Sequence, residues 1–178
     1  MNQKDFLRAV RSRAARIAAA SSAARGRGNA GVVKAARKYL REMDLSDFGT
    51  DDAARFGRVL DRHTERLNRE LPRGARHWGL ARKLLNIYLR DCLYCAYLNR
   101  KFHLARAEAL FEVPLDSITA HGLKQAAGRG ALPVWPGVRH LRPRVSAEFQ
   151  NFASDLARGE HLARVHLDAV YWSMGRDE

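Results

Sequence analysis

The sequence predicts an all-α protein, and three observations carry that prediction. Alternating runs of strand-favouring residues are nearly absent, while Ala, Leu, Arg and Glu dominate. Apolar residues recur at helical spacing along most of the chain. Between those stretches stand Asp, Gly and Pro residues of the kinds that start and stop helices. With 178 residues the chain is long enough to bury one substantial core.

The elements follow in order. Residues 3–24 read as a basic helix with Phe6, Leu7, Val10 and Ile17 on one side, broken by Gly26-Arg27-Gly28-Asn29, so that 1–30 reads as an N-terminal extension laid on nucleic acid. Val32 to Met43 predicts a second helix carrying Lys34, Arg37, Lys38 and Arg41. Asp51 or Asp52 caps the next, which runs to Glu70 with Phe56, Val59, Leu60, His63 and Leu67 in its apolar stripe. Leu71-Pro72-Arg73-Gly74-Ala75-Arg76 ends it in a turn. A long helix is expected from Gly79 to Leu98, a short one over Leu104–Leu110, and another over Ser117–Ala126. A Gly/Pro/Trp loop from Gly128 to Pro143 precedes two closing helices, about Val145–Arg158 and Leu162–Met174. Residues 31–178 thus form a single helical domain.

Charge points to the partner. The net charge is +13, from 32 Lys plus Arg against 19 Asp plus Glu, a surplus suited to phosphate backbones. Only six of the cations are lysine, as a GC-rich genome would favour, but that bias does not create the surplus over acids. No apolar run reaches the ~20 residues of a membrane span, and no signal peptide is legible, which predicts a cytoplasmic protein associated with the nucleoid. Cys92 and Cys95 form a lone C-x-x-C; a zinc or iron–sulfur site needs two more ligands, and i, i+3 spacing fits a buried helix face. His63, His103, His140, His161 and His166 give no metal-ligand spacing, so neither metal nor cofactor is expected.

Two segments carry the chemistry. Gly79-Leu80-Ala81-Arg82-Lys83-Leu84-Leu85-Asn86 puts a lysine near the start of an apolar helix, where the dipole disfavours a cation. Val113-Pro114-Leu115-Asp116-Ser117 puts an aspartate where another helix begins, an excellent N-cap. Together they resemble the helix-hairpin-helix DNA glycosylase superfamily, in which G-x-x-R-K-x-x-N is followed downstream by V-D-[ST]-H. The separation of 33 residues from Lys83 to Asp116 lies nearest to its 8-oxoguanine glycosylase-like branch, and Ile118 stands where the pattern has histidine.

The resemblance implies a compact helical glycosylase fold with a helix-hairpin-helix over about 52–98. It implies that Lys83 attacks the sugar carbon of a damaged nucleotide and that Asp116 assists. Double-stranded DNA with a damaged or modified base, an oxidised purine or a modified cytosine of phage DNA, is the implied substrate of a monomeric enzyme. Arg73, Gly74, Arg76, Gly79 and Arg82 are expected at the DNA backbone, since a hairpin of this kind offers backbone N–H groups and charge to a phosphate. His77, Trp78 and Trp135 are expected to receive the flipped base. Lys124 is a reserve nucleophile. The rival from another class is a non-catalytic helical module that binds DNA or RNA through charge alone.

Overall fold

The computed structural model describes residues 2–20 and 31–174, and every regular element among them is helical. Helix α1 (Gln3–Ala18) starts with a reciprocal capping box between Asn2 and Asp5. It is followed by α2 (Val32–Glu42) and α3 (Ala53–Glu70), whose cap is Asp52: its carboxylate accepts from the Arg55 N–H. The expected break at Gly26–Asn29 lies outside the described residues. A single 3₁₀ turn, Arg73–Ala75, then leads into α4 (Trp78–Tyr94).

Helix α4 is the axis of the molecule. It packs against α1, α3 and α2, and Leu80, Ala81, Leu84, Leu85, Tyr88, Leu89 and Cys92 are buried around it rather than along one stripe. Helix α1 belongs to this core: Ala14, Ala15, Ala18 and Ala19 are buried, small enough for close approach to α4. The N-terminal helix is therefore part of the domain and not an appendage laid outward.

The long helix expected to reach Leu98 breaks at Cys95, and α5 (Ala96–Phe102) takes a new direction. Asn99 explains the break. Its amide Nδ2 donates to the Leu93 carbonyl while its Oδ1 accepts from the Ala105 N–H, satisfying backbone groups on both sides of the corner. The segment Leu104–Leu110 is 3₁₀ rather than α. Then come α6 (Ser117–Ala127), α7 (Pro143–Gly159, proline in its first turn) and α8 (Leu167–Met174), which starts later than the apolar spacing suggested because Arg164–His166 forms a separate 3₁₀ turn.

Two apolar clusters result. The larger holds α1 to α5; the smaller joins Val113, Leu115, α6, α7 and Leu167. Trp135 packs against both. No described helix is long and apolar enough to cross a membrane.

Candidate functional site

Lys83 and Asp116 meet at the junction of the two clusters. Lys83 Nζ lies 3.4 Å from Asp116 Oδ2, and each side chain is only 10% exposed. Lys83 stands in the second turn of α4. Asp116 caps α6: its Oδ1 accepts from the backbone N–H groups of Ile118 and Thr119, both at 3.0 Å. The two carboxylate oxygens are thus divided, one spent on the helix start and the other turned to the lysine.

This meeting is built by the chain between the two helices. Arg82 donates a bidentate pair to Glu112, Nε to Oε2 at 2.8 Å and Nη2 to Oε1 at 2.9 Å, while Asn86 Nδ2 donates to the same Oε2 at 3.0 Å. Gln150 of α7 grips the Val113 peptide from both sides, accepting from its N–H at 3.1 Å and donating to its carbonyl at 2.8 Å. Arg164 donates to the carbonyls of Leu110 and Phe111. Three elements therefore strap the segment 110–116, and the register of Asp116 against Lys83 follows from them. Burial pushes the Glu112 carboxyl up, but Arg82 and the hydrogen bonds from Arg82 and Asn86 overcome it and hold the group below the usual carboxylate range.

A second strap runs behind the pair. Thr119, in the first turn of α6, donates to the buried Asp168 of α8 at 3.0 Å, and Asp168 is also ion-paired to Arg90 of α4. Gly122 lets α8 close on α6, since a Cβ there would meet the Tyr171 ring at 2.4 Å.

Several expected roles change. Arg82 does not face a backbone phosphate: besides Glu112 its Nη1 donates to Asp61 and Thr64 at 2.9 Å, and its side chain is 9% exposed. Gly79 is buried, and the close approach it permits is to the loop after α6. A Cβ there would lie 2.3 Å from the Val138 carbonyl oxygen and 2.7 Å from Leu141 Cβ. Arg73, Gly74 and Arg76 are exposed on the turn between α3 and α4, with Arg76 Nε bonded to the Leu71 carbonyl at 2.9 Å. His77 is the half-buried N-terminal flank of α4, its side chain making no cap. Trp78 is half-buried on the smaller cluster with the Arg82 guanidinium 5.2 Å from its ring centre, so one face is taken. Trp135 turns inward and meets Phe149 edge-on at 5.5 Å. Lys124, the reserve nucleophile, donates from its Nζ to the Pro133 carbonyl at 3.1 Å.

Cys92 is fully buried, Cys95 partly, and burial pushes the Cys92 thiol up, the behaviour of a packing residue. No group of three or more His, Cys, Asp or Glu among the described residues could hold a metal ion.

Glu112, Gln150 and Arg164 escaped the sequence reading, and Asp168 stood in it only as part of the closing helix, without a role. Only Glu112 carried a local signal, a lone acid in the apolar run Phe111–Leu115. No family model, no curated protein and no solved structure matches the chain.

Proposed function

We propose that the chain is a DNA N-glycosylase of the helix-hairpin-helix kind, with Lys83 and Asp116 as its catalytic residues. The observation that carries the reading is the 3.4 Å contact between Lys83 Nζ and Asp116 Oδ2, both largely withdrawn from water at adjoining helix starts. An amine and a carboxylate so placed suit nucleophilic attack at a sugar carbon. The turn Arg73–Ala75 between α3 and α4, with Arg73, Gly74 and Arg76 exposed, and the net charge of +13 support double-stranded DNA as the partner.

In this reading the target nucleotide leaves the stack. Asp116 Oδ2 takes a proton from the Lys83 ammonium and frees the Nζ lone pair; the Nζ–C1′ bond then forms as the glycosidic bond breaks, and the base departs with the bonding pair and takes that proton from Asp116. Ring opening then gives a Schiff base from which β-elimination cleaves the strand. If Lys83 only binds, Asp116 activates a water and an abasic site is the product. The excised base is an oxidised purine or a modified cytosine of phage DNA, a repair role in the first case and a defence role in the second.

The test is mass spectrometry of free bases released from duplexes carrying oxidised, alkylated, deaminated or phage-type modified bases. Wild type is expected to release one of them, and Asp116→Asn to slow release by about 100-fold or more. Borohydride trapping that captures wild type but not Lys83→Gln assigns the covalent route. No release from any duplex, with binding intact, makes the protein a nucleic-acid-binding module.

A further inference from the structure

A second set of titratable side chains is joined by hydrogen bonds where α4 ends. The Tyr94 hydroxyl lies 2.9 Å from His166 Nδ1, and His166 Nε2 lies 2.8 Å from Glu108 Oε1. The chemistry of the three groups fixes the direction of both bonds. A carboxylate only accepts, so the neutral imidazole carries its proton on Nε2 and donates it to Glu108. Nδ1 is then a bare acceptor, and the Tyr94 O–H donates to it. The phenol oxygen keeps its lone pairs free, on a side chain that is 50% exposed. Nucleophile, base and orienting carboxylate therefore stand in the order that activates a hydroxyl.

The fold holds that order. Tyr94 is the last residue of α4, His166 closes the 3₁₀ turn Arg164–His166, and Glu108 stands in the 3₁₀ segment Leu104–Leu110. Arg164 ties its own turn to the end of that segment through the carbonyls of Leu110 and Phe111. The Tyr94 and His166 rings lie within 10° of parallel, their centres 5.6 Å apart. Burial pushes the Tyr94 phenol up, so it stays protonated at neutral pH and needs a base to free its oxygen. Tyr39 is the contrast. Its hydroxyl also meets an imidazole, His63 Nδ1 at 2.7 Å, but His63 Nε2 has no hydrogen-bond partner to orient the ring.

The cluster is separate from Lys83 and Asp116. From Lys83 onward, α4 is buried except along Lys83, Ile87, Arg90 and Tyr94, with Asp91 beside them. Tyr94 follows Lys83 by eleven residues on that line, about 16 Å along the axis. Arg90, one turn before Tyr94, favours the phenolate, and a guanidinium there suits an anionic electrophile, as the net charge of +13 does.

We propose that Tyr94 is a second nucleophile, with His166 as its base and Glu108 as a positioning residue, and that it takes a phosphoryl group from a phosphate ester. The bond from the Tyr94 oxygen to phosphorus forms as the bond to the leaving group breaks. The phenol proton passes to His166 Nδ1, and the leaving group departs with the bonding pair. The inference does not depend on base excision.

The test incubates the full chain, without DNA, with an alkynyl fluorophosphonate whose leaving group is fluoride, and maps the label by peptide mass spectrometry. Tyr94 should be labelled at least about tenfold faster than Tyr39 in the same sample. Glu108→Gln, at a side chain 45% exposed, should keep the wild-type melting temperature and slow Tyr94 labelling by about tenfold or more. His166→Gln should bring Tyr94 down to the Tyr39 rate, and labelling of Tyr39 itself should not change in either variant. Tyr94 labelled no faster than Tyr39, or as fast in either variant as in wild type, overturns the relay. Acetylation of Tyr94 by p-nitrophenyl acetate with no phosphonylation overturns the phosphoryl assignment.

Discussion

Glu112→Gln removes the charge that holds the central guanidinium. Arg82 donates four hydrogen bonds, two of them to Glu112, and both side chains are mostly buried, 9% and 14% exposed. Breaking a buried ion pair by removing one partner typically costs about 3–5 kcal/mol, because a charge is left uncompensated. Asp61 stays within 2.9 Å of Nη1 but is 68% exposed and screened, so it offsets only part. The expected loss is about 3 kcal/mol, or roughly 6–12 °C in melting temperature for a domain of this size. Urea unfolding of wild type, Glu112→Gln and Asp61→Asn on the same day is the assay, with the Asp61 variant expected within about 1 kcal/mol of wild type. A Glu112→Gln protein as stable as Asp61→Asn would refute the claim that Glu112 organises this junction. If the claim holds, Glu112→Gln should also slow base release at temperatures where the protein is fully folded, because the strap that brings Asp116 to Lys83 is loosened.

Other perturbations separate further parts of the structure. Asp116→Asn keeps an oxygen for the Ile118 and Thr119 amides but leaves the Lys83 ammonium, 10% exposed, without its counter-charge, so it should lose about 3 kcal/mol by thermal melting as well as activity; Asp116→Ala also removes the cap and should lose about 1 kcal/mol more. Gly57→Ala, with open space around its new methyl in α3, should gain up to about 1 kcal/mol, whereas Gly79→Ala collides with the Val138 carbonyl and should lose about 1–2 kcal/mol despite the same gain in helix propensity. Burial, and then Arg62 and Arg66, hold the His63 imidazole below its ordinary value of 6.5, its Nδ1 lying 2.7 Å from the Tyr39 hydroxyl. The unfolded chain therefore takes up the proton first as pH falls. His63 should contribute stability that is full above pH 6.5 and declines below it, and His63→Phe should flatten urea-unfolding stability between pH 7 and 5.

The sequence made helices legible wherever one local signal settled them. Asp52 and Asp116 are caps because a short carboxylate reaches the next amides whatever lies beyond, and the spacing of Phe56, Val59, Leu60, His63 and Leu67 is the buried face of α3. The approach of Lys83 to Asp116 was expected from the resemblance and is present in the fold. What was not legible depends on partners distant in the chain. Arg82 reads as surface charge until Glu112, thirty residues on, is known to face it. Gly79 reads as an opening for DNA until Val138 fills it, and Trp135 reads as a free aromatic until Phe149 covers it. The break at Cys95 was missed because Asn99 acts on backbone groups across a corner, which no periodicity records.

Under the proposed function, the arrangement also separates what must be fixed from what must recognise. Every residue that sets the Lys83–Asp116 distance is buried or strapped: Arg82, Asn86, Glu112, Gln150 and Arg164 hold the segment 110–116, and Thr119 with Asp168 holds the start of α6. A site so held has little geometric freedom left to lose when substrate arrives, and a misplacement of about 1 Å costs orders of magnitude in a reaction that depends on approach. The exposed cations near this helix lie elsewhere, on the turn after α3 and on the loop before α7, and both segments abut the first turn of α4. Under the proposed function, helix α4 connects recognition to chemistry without a moving part: what touches its start would position a strand, and the lysine one turn later would find the aspartate already in place.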